Sequence, residues 1–459
     1  MFLSDFSRTF SVVSDRPLDT PLCKKLGRAF VFRITRREFM RRLLLCLMIG
    51  LFLAGLMGTT AYAQEREMPG RINLMLDGMV LDFDPAPVIH NAFTMLPFRS
   101  VAEALNVEVR WDEANRTIVA EKEGISVVML VDKPYAYVNN RLVLLEVSPL
   151  LLEGRTLIPV RFFTEAFGCK VDWIPASLTV KISSPAQKMQ VVAFYALGDE
   201  KTSSWTDLFG RPYPEIEPGN TGIVSDLALG WYSMDEEGNL LTQSATGWQR
   251  PNAWEAVVEA TRQYKIYTEM VIHMTDGESR LSDFLNNPQA GEKAIAAIIK
   301  EARFYNGVNL DWEGLGWNED SQQLAQTREA LNNFVKRLSR ELKAAGLTLT
   351  LTLHPLNSAY LGYDYQTLGQ EADRIVIMAY DYGSKPEPIT LVKQAVEMAA
   401  AVVSADKLLL GIATLGENPE SLENKIGQAK KYKLGGIALW RLGLLSSEKW
   451  DVLRDNIIK

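Results

Sequence analysis

The side chains best suited to chemistry lie in one short stretch, residues 304–313. Within it, Asn309, Asp311 and Glu313 alternate with apolar residues, and this period of two predicts a buried strand with its polar side chains on one face. Like charges repel when they are desolvated, so a pair of inward carboxyls should keep a proton near neutral pH. We expect Glu313, at the carboxyl end of the strand, to act as a general acid. The alternative is a polar strand end that only faces solvent.

The spacing Asn306-x-x-Asn309-x-Asp311-x-Glu313 resembles the fourth-strand motif of glycoside hydrolase family 18, which contains chitinases and N-acetylglucosaminidases. The family motif has Asp at the first two positions, where this chain has amides. The last two positions, which carry the chemistry in the family, are kept. The pattern is similar to the branch of spore-cortex-lytic and germination enzymes, which tolerates Asn at the second position. Two further motifs agree with the resemblance, namely Met378-Ala379-Tyr380-Asp381 and Trp440, at the place of the family's eighth-strand tryptophan.

From residue 189 onward, apolar β-rich runs alternate with helical stretches, which is typical of a parallel sheet built from βα units. Eight such runs match the size and count of a (β/α)8 barrel, and the resemblance implies the same fold. We therefore predict an α/β chain with a (β/α)8 TIM barrel over residues 186–459, preceded by a small repeated α+β module. The predicted strands are residues 190–196, 223–231, 266–273, 307–313, 347–354, 374–380, 407–413 and 436–441.

In such barrels the functional side chains lie at the carboxyl ends of the strands. Aromatic rings there can cover the apolar faces of sugars while carboxyls transfer protons. His273 and His354 also end strands, and packing in the core explains each at least as well as a substrate contact does. No dedicated metal site is expected, because no His and Asp cluster has ligand spacing along the sequence. The predicted substrate-binding residues are Trp440, Asn309, Asp381, Tyr195, Trp231, Met378 and Arg441.

The resemblance also implies a substrate-assisted mechanism, in which the 2-acetamido oxygen of the sugar attacks the anomeric carbon. Glu313 would protonate the leaving oxygen and later activate water, while Asp311 would orient the acetamido group. Tyr380, the third predicted catalytic residue, would donate to the acetamido oxygen, and Trp440 would lie under the sugar. Asn309 carries no charge, so we expect Asp311 to stay ionised more easily than it would beside an acid.

These features favour an exported hydrolase of β-1,4 bonds in N-acetylated amino-sugar polymers, with peptidoglycan or its fragments placed ahead of chitin. The alternative is a catalytically weak or inactive, lectin-like wall or spore protein on the same barrel. The net charge of -7 argues against a nucleic-acid partner. We expect no cofactor, a polysaccharide as the partner, and a monomer.

Residues 43–57 form an almost purely apolar run, preceded by four arginines between positions 36 and 42 and followed by Ala61-Tyr62-Ala63. Such a run is short for a spanning helix and typical of a signal peptide with its cleavage site. We predict that residues 1–63 are an export segment removed after Ala63, which makes the protein extracellular or wall-associated. An uncleaved membrane anchor is the alternative. A start at Met40 and a twin-arginine export route both stay open.

A repeat precedes the barrel. Residues 94–105 are echoed by residues 156–167, and the same offset aligns Trp111 with Trp173. Each copy predicts a strand, a proline-initiated short helix and a hairpin. The region 65–185 resembles the domain named for the amino terminus of copper amine oxidases. It contains one histidine, His90, and one cysteine, Cys169, so we expect that it cannot form a His-rich copper site. A wall-associating module and a passive spacer are equally compatible with it.

Overall fold

The computed structural model describes residues 72–84, 86–196, 201–243 and 249–459. The predicted export segment, residues 1–63, lies outside these ranges. Within them, no helix is both long and apolar enough to cross a membrane. Residues 70–459 form one compact unit.

The amino-terminal module, residues 72–183, is built from two copies of one unit. Each copy runs from a strand through a short helix into a hairpin, in the predicted order. The proline of each copy lies at the N-cap position, one residue before the first turn: Pro97 precedes Phe98–Ala104, and Pro159 precedes Val160–Ala166. The entry strands of the two copies pair antiparallel, with Leu157 opposite Pro97, so the repeat joins the copies side by side.

Within the described residues, the module strands form three small sheets around a main apolar core and a smaller apolar cluster of Met95, Val147 and Leu157. The first of these sheets ties the start of the module to its end, because Asn73–Leu76 pairs in parallel with Thr179–Ser183. The module strands are Asn73–Leu76, Met79–Leu81, Val88–His90, Phe93–Pro97, Glu108–Asp112, Thr117–Lys122, Ile125–Leu130, Tyr135–Val138, Arg141–Leu144, Leu150–Leu152, Arg155–Pro159, Lys170–Ile174 and Thr179–Ser183.

The second part of the chain is a closed barrel of eight parallel strands, which confirms the predicted (β/α)8 fold. The ring closes because the first strand pairs with both the second and the eighth. Leu240–Leu241 adds a short antiparallel strand outside the ring. The barrel strands are β1 (Gln190–Tyr195), β2 (Asp226–Met234), β3 (Tyr267–Thr275), β4 (Gly307–Glu313), β5 (Thr348–Leu353), β6 (Arg374–Ile377), β7 (Leu408–Ala413) and β8 (Gly436–Trp440).

Helices cover the outside of this barrel and follow the strands in the order that βα units require. Their starts carry local signals: the Asp320 side chain accepts from the backbone of Gln323, and Asn287 and Asn418 cap helices that begin with proline. The barrel helices are Ser204–Phe209, Trp254–Gln263, Arg280–Leu285, Pro288–Ala302, Ser321–Ala344, Tyr365–Glu371, Ile389–Ala400, Pro419–Lys431 and Ser447–Asn456.

Alternation along each strand separates two apolar layers. Residues such as Val192, Phe194 and Ala438 fill a small cluster, whereas their strand neighbours belong to the large core that contains the helices. Because side chains alternate across a strand, the small cluster lies inside the barrel and the large one between strands and helices. Whether a residue at a strand end points into the barrel or toward the helices therefore decides whether its side chain can reach the mouth of the barrel.

A buried polar cluster fills the amino-terminal end of the barrel interior. The Arg374 guanidinium donates to Asp226, at 2.9 Å, and to Glu269, and Glu269 also accepts from Thr350. The three charged side chains are at most 11% exposed. Removing Arg374 would leave two buried carboxylates without the cation that is hydrogen-bonded to both.

The module contacts the barrel through a buried polar interface. Lys430, on the helix Pro419–Lys431, lies 3.6 Å from Asp77 of the module and donates to Asn456 at 2.8 Å. Asp77 in turn accepts from the backbone and hydroxyl of Ser184, between the module and the barrel. Backbones approach closely here, because a side chain on Gly78 would come within 2.7 Å of the Asn424 nitrogen.

Candidate active site

The two predicted acids lie together at the carboxyl end of β4. Asp311 is 3% exposed, whereas the Glu313 side chain is 32% exposed at the mouth. The carbonyl of Glu313 accepts the Asp276 amide at 2.8 Å, and Gly314 follows with φ of 92°. The strand end is therefore fixed to the loop after β3, and the chain turns sharply after the acid.

Asp311 is the buried carboxyl of the pair. Burial raises its pKa well above the ordinary value, and the charge of Glu313 raises it further. Its Oδ1 has no hydrogen-bond partner within the described part of the chain. Burial raises this pKa whichever residue occupies position 309. The expectation that Asp311 ionises more easily beside Asn309 than it would beside an acid stays a prediction. In the free protein Asp311 keeps a proton to a higher pH than an exposed aspartate.

Two histidines flank Glu313. His273 Nε2 lies 3.4 Å from one carboxylate oxygen, and His354 Nε2 lies 3.8 Å from the other. His273 is opposite Asp311 in the register of β3 with β4, and His354 directly follows β5. Burial lowers the pKa of His354, with Glu313 and Asp381 opposing that shift. Both rings thus belong to the surroundings of the acid, which the sequence left open.

The same neighbourhood has the composition of a metal site. His273, Asp311 and Glu313 each offer one ligand atom, and these atoms lie within 4.8 Å of one another. Imidazole and carboxylate ligands of this kind suit zinc and related divalent ions. These three residues come from two adjacent strands, so spacing along the sequence could not indicate that they lie together. The expectation of no dedicated metal site stays a prediction.

Tyr380 and Trp440 line a cavity of about 600 Å³ that also contacts Asp381 and Lys385. Burial, followed by the charges of Asp311, Glu313 and Asp381, raises the pKa of Tyr380 well above its ordinary value, so its hydroxyl stays protonated. Trp440 packs edge-on against Phe194 with ring centroids 5.1 Å apart.

The remaining predicted residues near the mouth have varied surroundings. Asp381 is exposed and accepts from Lys385 at 3.1 Å. Arg441 donates to the carbonyls of Thr202 and Leu442, and Met378 is buried. For Asp381, Met378 and Arg441, substrate contact stays a prediction.

Two predicted subsite residues lie in the wrong layer. Tyr195 and Trp231 are each 1% exposed and belong to the core between strands and helices. Their rings contact each other with centroids 6.1 Å apart, and Trp231 also packs against Trp254 and Tyr305. The prediction that they bind sugar is wrong, because side chains of this parity point away from the barrel interior.

Asn309 is also misassigned as a substrate contact. It is 0% exposed, donates to Glu269 at 3.2 Å and accepts from Thr352 at 2.8 Å. Its amide therefore joins the polar cluster at the base of the barrel to the strand that carries the acids. Asn309 thus links β4 to β3 and β5 inside the barrel.

An eight-stranded parallel barrel with a carboxyl pair at its mouth is a general scaffold for catalysis. Residues 224–417, which lie within the barrel, match the sequence model of the glycosyl hydrolases family 18. Residues 75–182 match the copper amine oxidase N-terminal domain. Both resemblances stated from the sequence are confirmed.

Two curated relatives come from Bacillus subtilis. A putative sporulation-specific glycosylase is 29% identical over 177 residues, which cover 35% of this chain and 40% of that protein. A cortical fragment-lytic enzyme is 22% identical over 249 residues, which cover 38% of this chain and 56% of that protein. The chain thus spans about half the length of the curated relatives that it matches.

Two solved structures are similar to part of the chain. The spore cortex-lytic enzyme of Bacillus cereus has a TM-score of 0.48 and 18% identity, covering 60% of this chain and 76% of that one. A chitinase from Chromobacterium violaceum has a TM-score of 0.48 and 19% identity, covering 58% of this chain and 98% of that one.

Proposed function

We propose that the protein hydrolyses β-1,4 bonds in N-acetylated amino-sugar polymers, with Glu313 as general acid and base. The observation that carries this proposal is the carboxyl pair at the barrel mouth. Glu313 is partly exposed where a polymer can reach it, and Asp311 is buried two residues earlier on the same strand. The family match includes both residues.

In the first step the 2-acetamido oxygen attacks the anomeric carbon while Glu313 gives its proton to the glycosidic oxygen. The bond to the leaving sugar breaks, and the bound sugar becomes a cyclic oxazolinium ion. In the second step Glu313 takes a proton from water, whose oxygen attacks the anomeric carbon and reopens the ring. The enzyme ends in its starting protonation state, and the product keeps the anomeric configuration.

The buried carboxyl supports a substrate nucleophile over an enzyme nucleophile. A carboxyl whose pKa is raised by burial holds a proton and attacks poorly, so Asp311 is unsuited to form a glycosyl–enzyme bond. A protonated Asp311 can instead donate to the substrate or share its proton with Glu313. Tyr380, kept protonated beside both acids, can donate to the acetamido oxygen, and Trp440 can cover one sugar face.

Peptidoglycan or its fragments are the substrate that we propose first, and chitin second. The names of two curated relatives refer to cortical fragments and to sporulation. We further propose that the protein is exported by cleavage after Ala63 and acts outside the cell or at the wall, where the module 72–183 holds or spaces the barrel. A polysaccharide is the partner that this function requires.

Replacing the acid tests the proposal. Glu313→Gln is nearly isosteric but cannot give a proton, so hydrolysis of chitin oligomers and reduced muropeptide chains should fall about 10²–10⁴-fold. The matched control is Glu278→Gln, at a side chain 85% exposed on the loop after β3, which should keep full activity. Retained turnover in folded Glu313→Gln would refute the acid assignment. Sugar binding without turnover in the parent would favour the lectin-like alternative.

The substrate class has its own control. A substrate-assisted reaction needs a 2-acetamido group on the sugar whose bond is cleaved, so de-N-acetylated chains should resist the enzyme. Efficient cleavage of those chains would refute the mechanism. Faster cleavage of chitin oligomers than of muropeptide chains would leave the mechanism intact and reverse the proposed order of substrates.

A further inference from the structure

A row of stacked rings leads from the surface to the candidate acid. The Trp317 and Tyr360 rings have centroids 5.3 Å apart and an interplanar angle of 39°, and the Tyr360 and His354 rings stack at 4.1 Å and 27°. His354 ends the row 3.8 Å from Glu313. Trp317 is 55% exposed, which is unusual for so large an apolar ring.

The two loops that carry this row are fastened to each other. Trp317 follows β4, Tyr360 follows β5, and the amide of Gly362 donates to the carbonyl of Leu315 at 3.1 Å. A side chain on Gly316 would come within 2.3 Å of the Gly362 nitrogen, so the backbones meet where only glycine fits. The buried hydroxyl of Tyr363 donates to the Trp312 carbonyl at 2.8 Å. The exposed rings therefore stand on a preorganised support.

The row lies on the opposite side of the mouth from Trp440. Trp317 and Tyr360 belong to the loops after β4 and β5, whereas Trp440 ends β8, which is across an eight-stranded ring from β4. Glu313 lies 3.8 Å from His354 of the row, and its charge also acts on Tyr380, which lines the cavity together with Trp440. If the sugar that is attacked occupies that cavity, the sugar that leaves must pass over the row.

We propose that Trp317 and Tyr360 form a binding subsite for the sugar on the leaving-group side of the cleaved bond. This inference rests on the proposed function for the role of Glu313. The ligand class is a pyranose ring of an N-acetylated amino-sugar chain, whose apolar face stacks on an aromatic ring while its hydroxyls stay in water. His354, the inner member of the row, lies between the Tyr360 ring and Glu313.

The test measures binding without turnover. In the Glu313→Gln background, the N-acetylglucosamine hexamer is titrated by calorimetry against Trp317→Ala, Trp317→Phe and the matched control Trp173→Ala. Trp173 is an exposed tryptophan of the module, at 41%. Losing roughly 50 Å² of apolar contact at about 25 cal/mol per Å² corresponds to about a tenfold rise in Kd for Trp317→Ala. Trp317→Phe should restore most of the affinity, and Trp173→Ala should bind like its parent.

A kinetic comparison assigns the subsite to the leaving side. Chitobiosyl fluoride carries no sugar on that side, so the ratio of kcat/KM for the hexamer to kcat/KM for the fluoride should fall about tenfold in Trp317→Ala. An unchanged ratio, or a hexamer Kd that Trp317→Ala leaves unaltered, would overturn the inference. A tenfold loss of hexamer binding in a protein that hydrolyses neither substrate would support the subsite and refute the proposed function.

Discussion

Replacing Asp311 by Asn should make the protein more stable while it removes activity. Asp311 is 3% exposed, and its Oδ1 finds no partner in the described ranges. An unsatisfied buried acceptor costs about 1–3 kcal/mol, and a charged one costs more. The amide carries no charge, so it avoids the cost of holding a carboxylate at this depth beside Glu313. We therefore expect a gain of about 1–3 kcal/mol at neutral pH.

The stability gained by Asp311→Asn should increase as the pH rises. The pKa of Asp311 is raised in the folded protein, so its contribution to stability is fully present below the unfolded value, about pH 4, and is lost as the pH rises through the folded pKa. Asn cannot titrate and escapes that loss. The advantage of Asp311→Asn should thus be largest at the alkaline end and should close as the pH falls toward about 4.

Thermal unfolding of the full chain across this pH range measures the effect. A gain of this size corresponds to roughly 2–5 °C in the Tm of the barrel transition. The control is Asp381→Asn, at a side chain 78% exposed, which should move Tm little at any pH. A lower Tm for Asp311→Asn at about pH 8, or a gap that is the same at every pH, would refute the reasoning.

Three further substitutions probe the interior, each read out by urea unfolding with activity measured alongside. Arg374→Met leaves Asp226 and Glu269 buried without the cation that pairs with them, and should lower the free energy of unfolding by about 3–5 kcal/mol. An unchanged free energy of unfolding would mean that water already solvates the two carboxylates. Asn309→Asp puts a carboxylate where an amide now donates to Glu269, and should lower the free energy of unfolding by about 1–3 kcal/mol or more. The acid limb of the pH–rate profile should not move. A shifted limb would indicate that residue 309 contacts the catalytic acids after all. Tyr195→Phe removes a buried hydroxyl that has no partner among the described residues and should leave KM unchanged, whereas a raised KM would contradict its place in the outer core.

The sequence predicts the fold of the barrel well because each strand is marked by its own composition. Alternation across 304–313 correctly separates Asp311 and Glu313 from their apolar neighbours. The same rule, applied along β1, would have excluded Tyr195, since it shares parity with Val191 and not with the inward Phe194. Reading strand ends without parity produced the two misassigned aromatic residues.

The sequence does not predict which residues lie opposite each other on neighbouring strands. Nothing local to His273 indicates that it lies opposite Asp311, because that register depends on how β3 pairs with β4. The burial that raises the pKa of Asp311 likewise comes from packing across the barrel. The sequence suggested that Asn309 acts through Asp311, its neighbour on the strand. Its hydrogen-bond partners are instead Glu269 and Thr352, about forty residues away in the chain.

The buried contact of Lys430 with Asp77 bears on the proposed function, because it limits how the barrel could reach an insoluble polymer. A flexible tether lets a catalytic domain search a volume set by the length of its linker. Here the segment between the module and the barrel is anchored by Ser184, and the module backbone packs against the helix Pro419–Lys431. The barrel is therefore held at a fixed position relative to the module, and it cannot sweep a volume around a point at which the module is attached. Such an enzyme would act on the chains presented at one fixed height and angle, and would reach new ones only by detaching or by remodelling of the polymer itself.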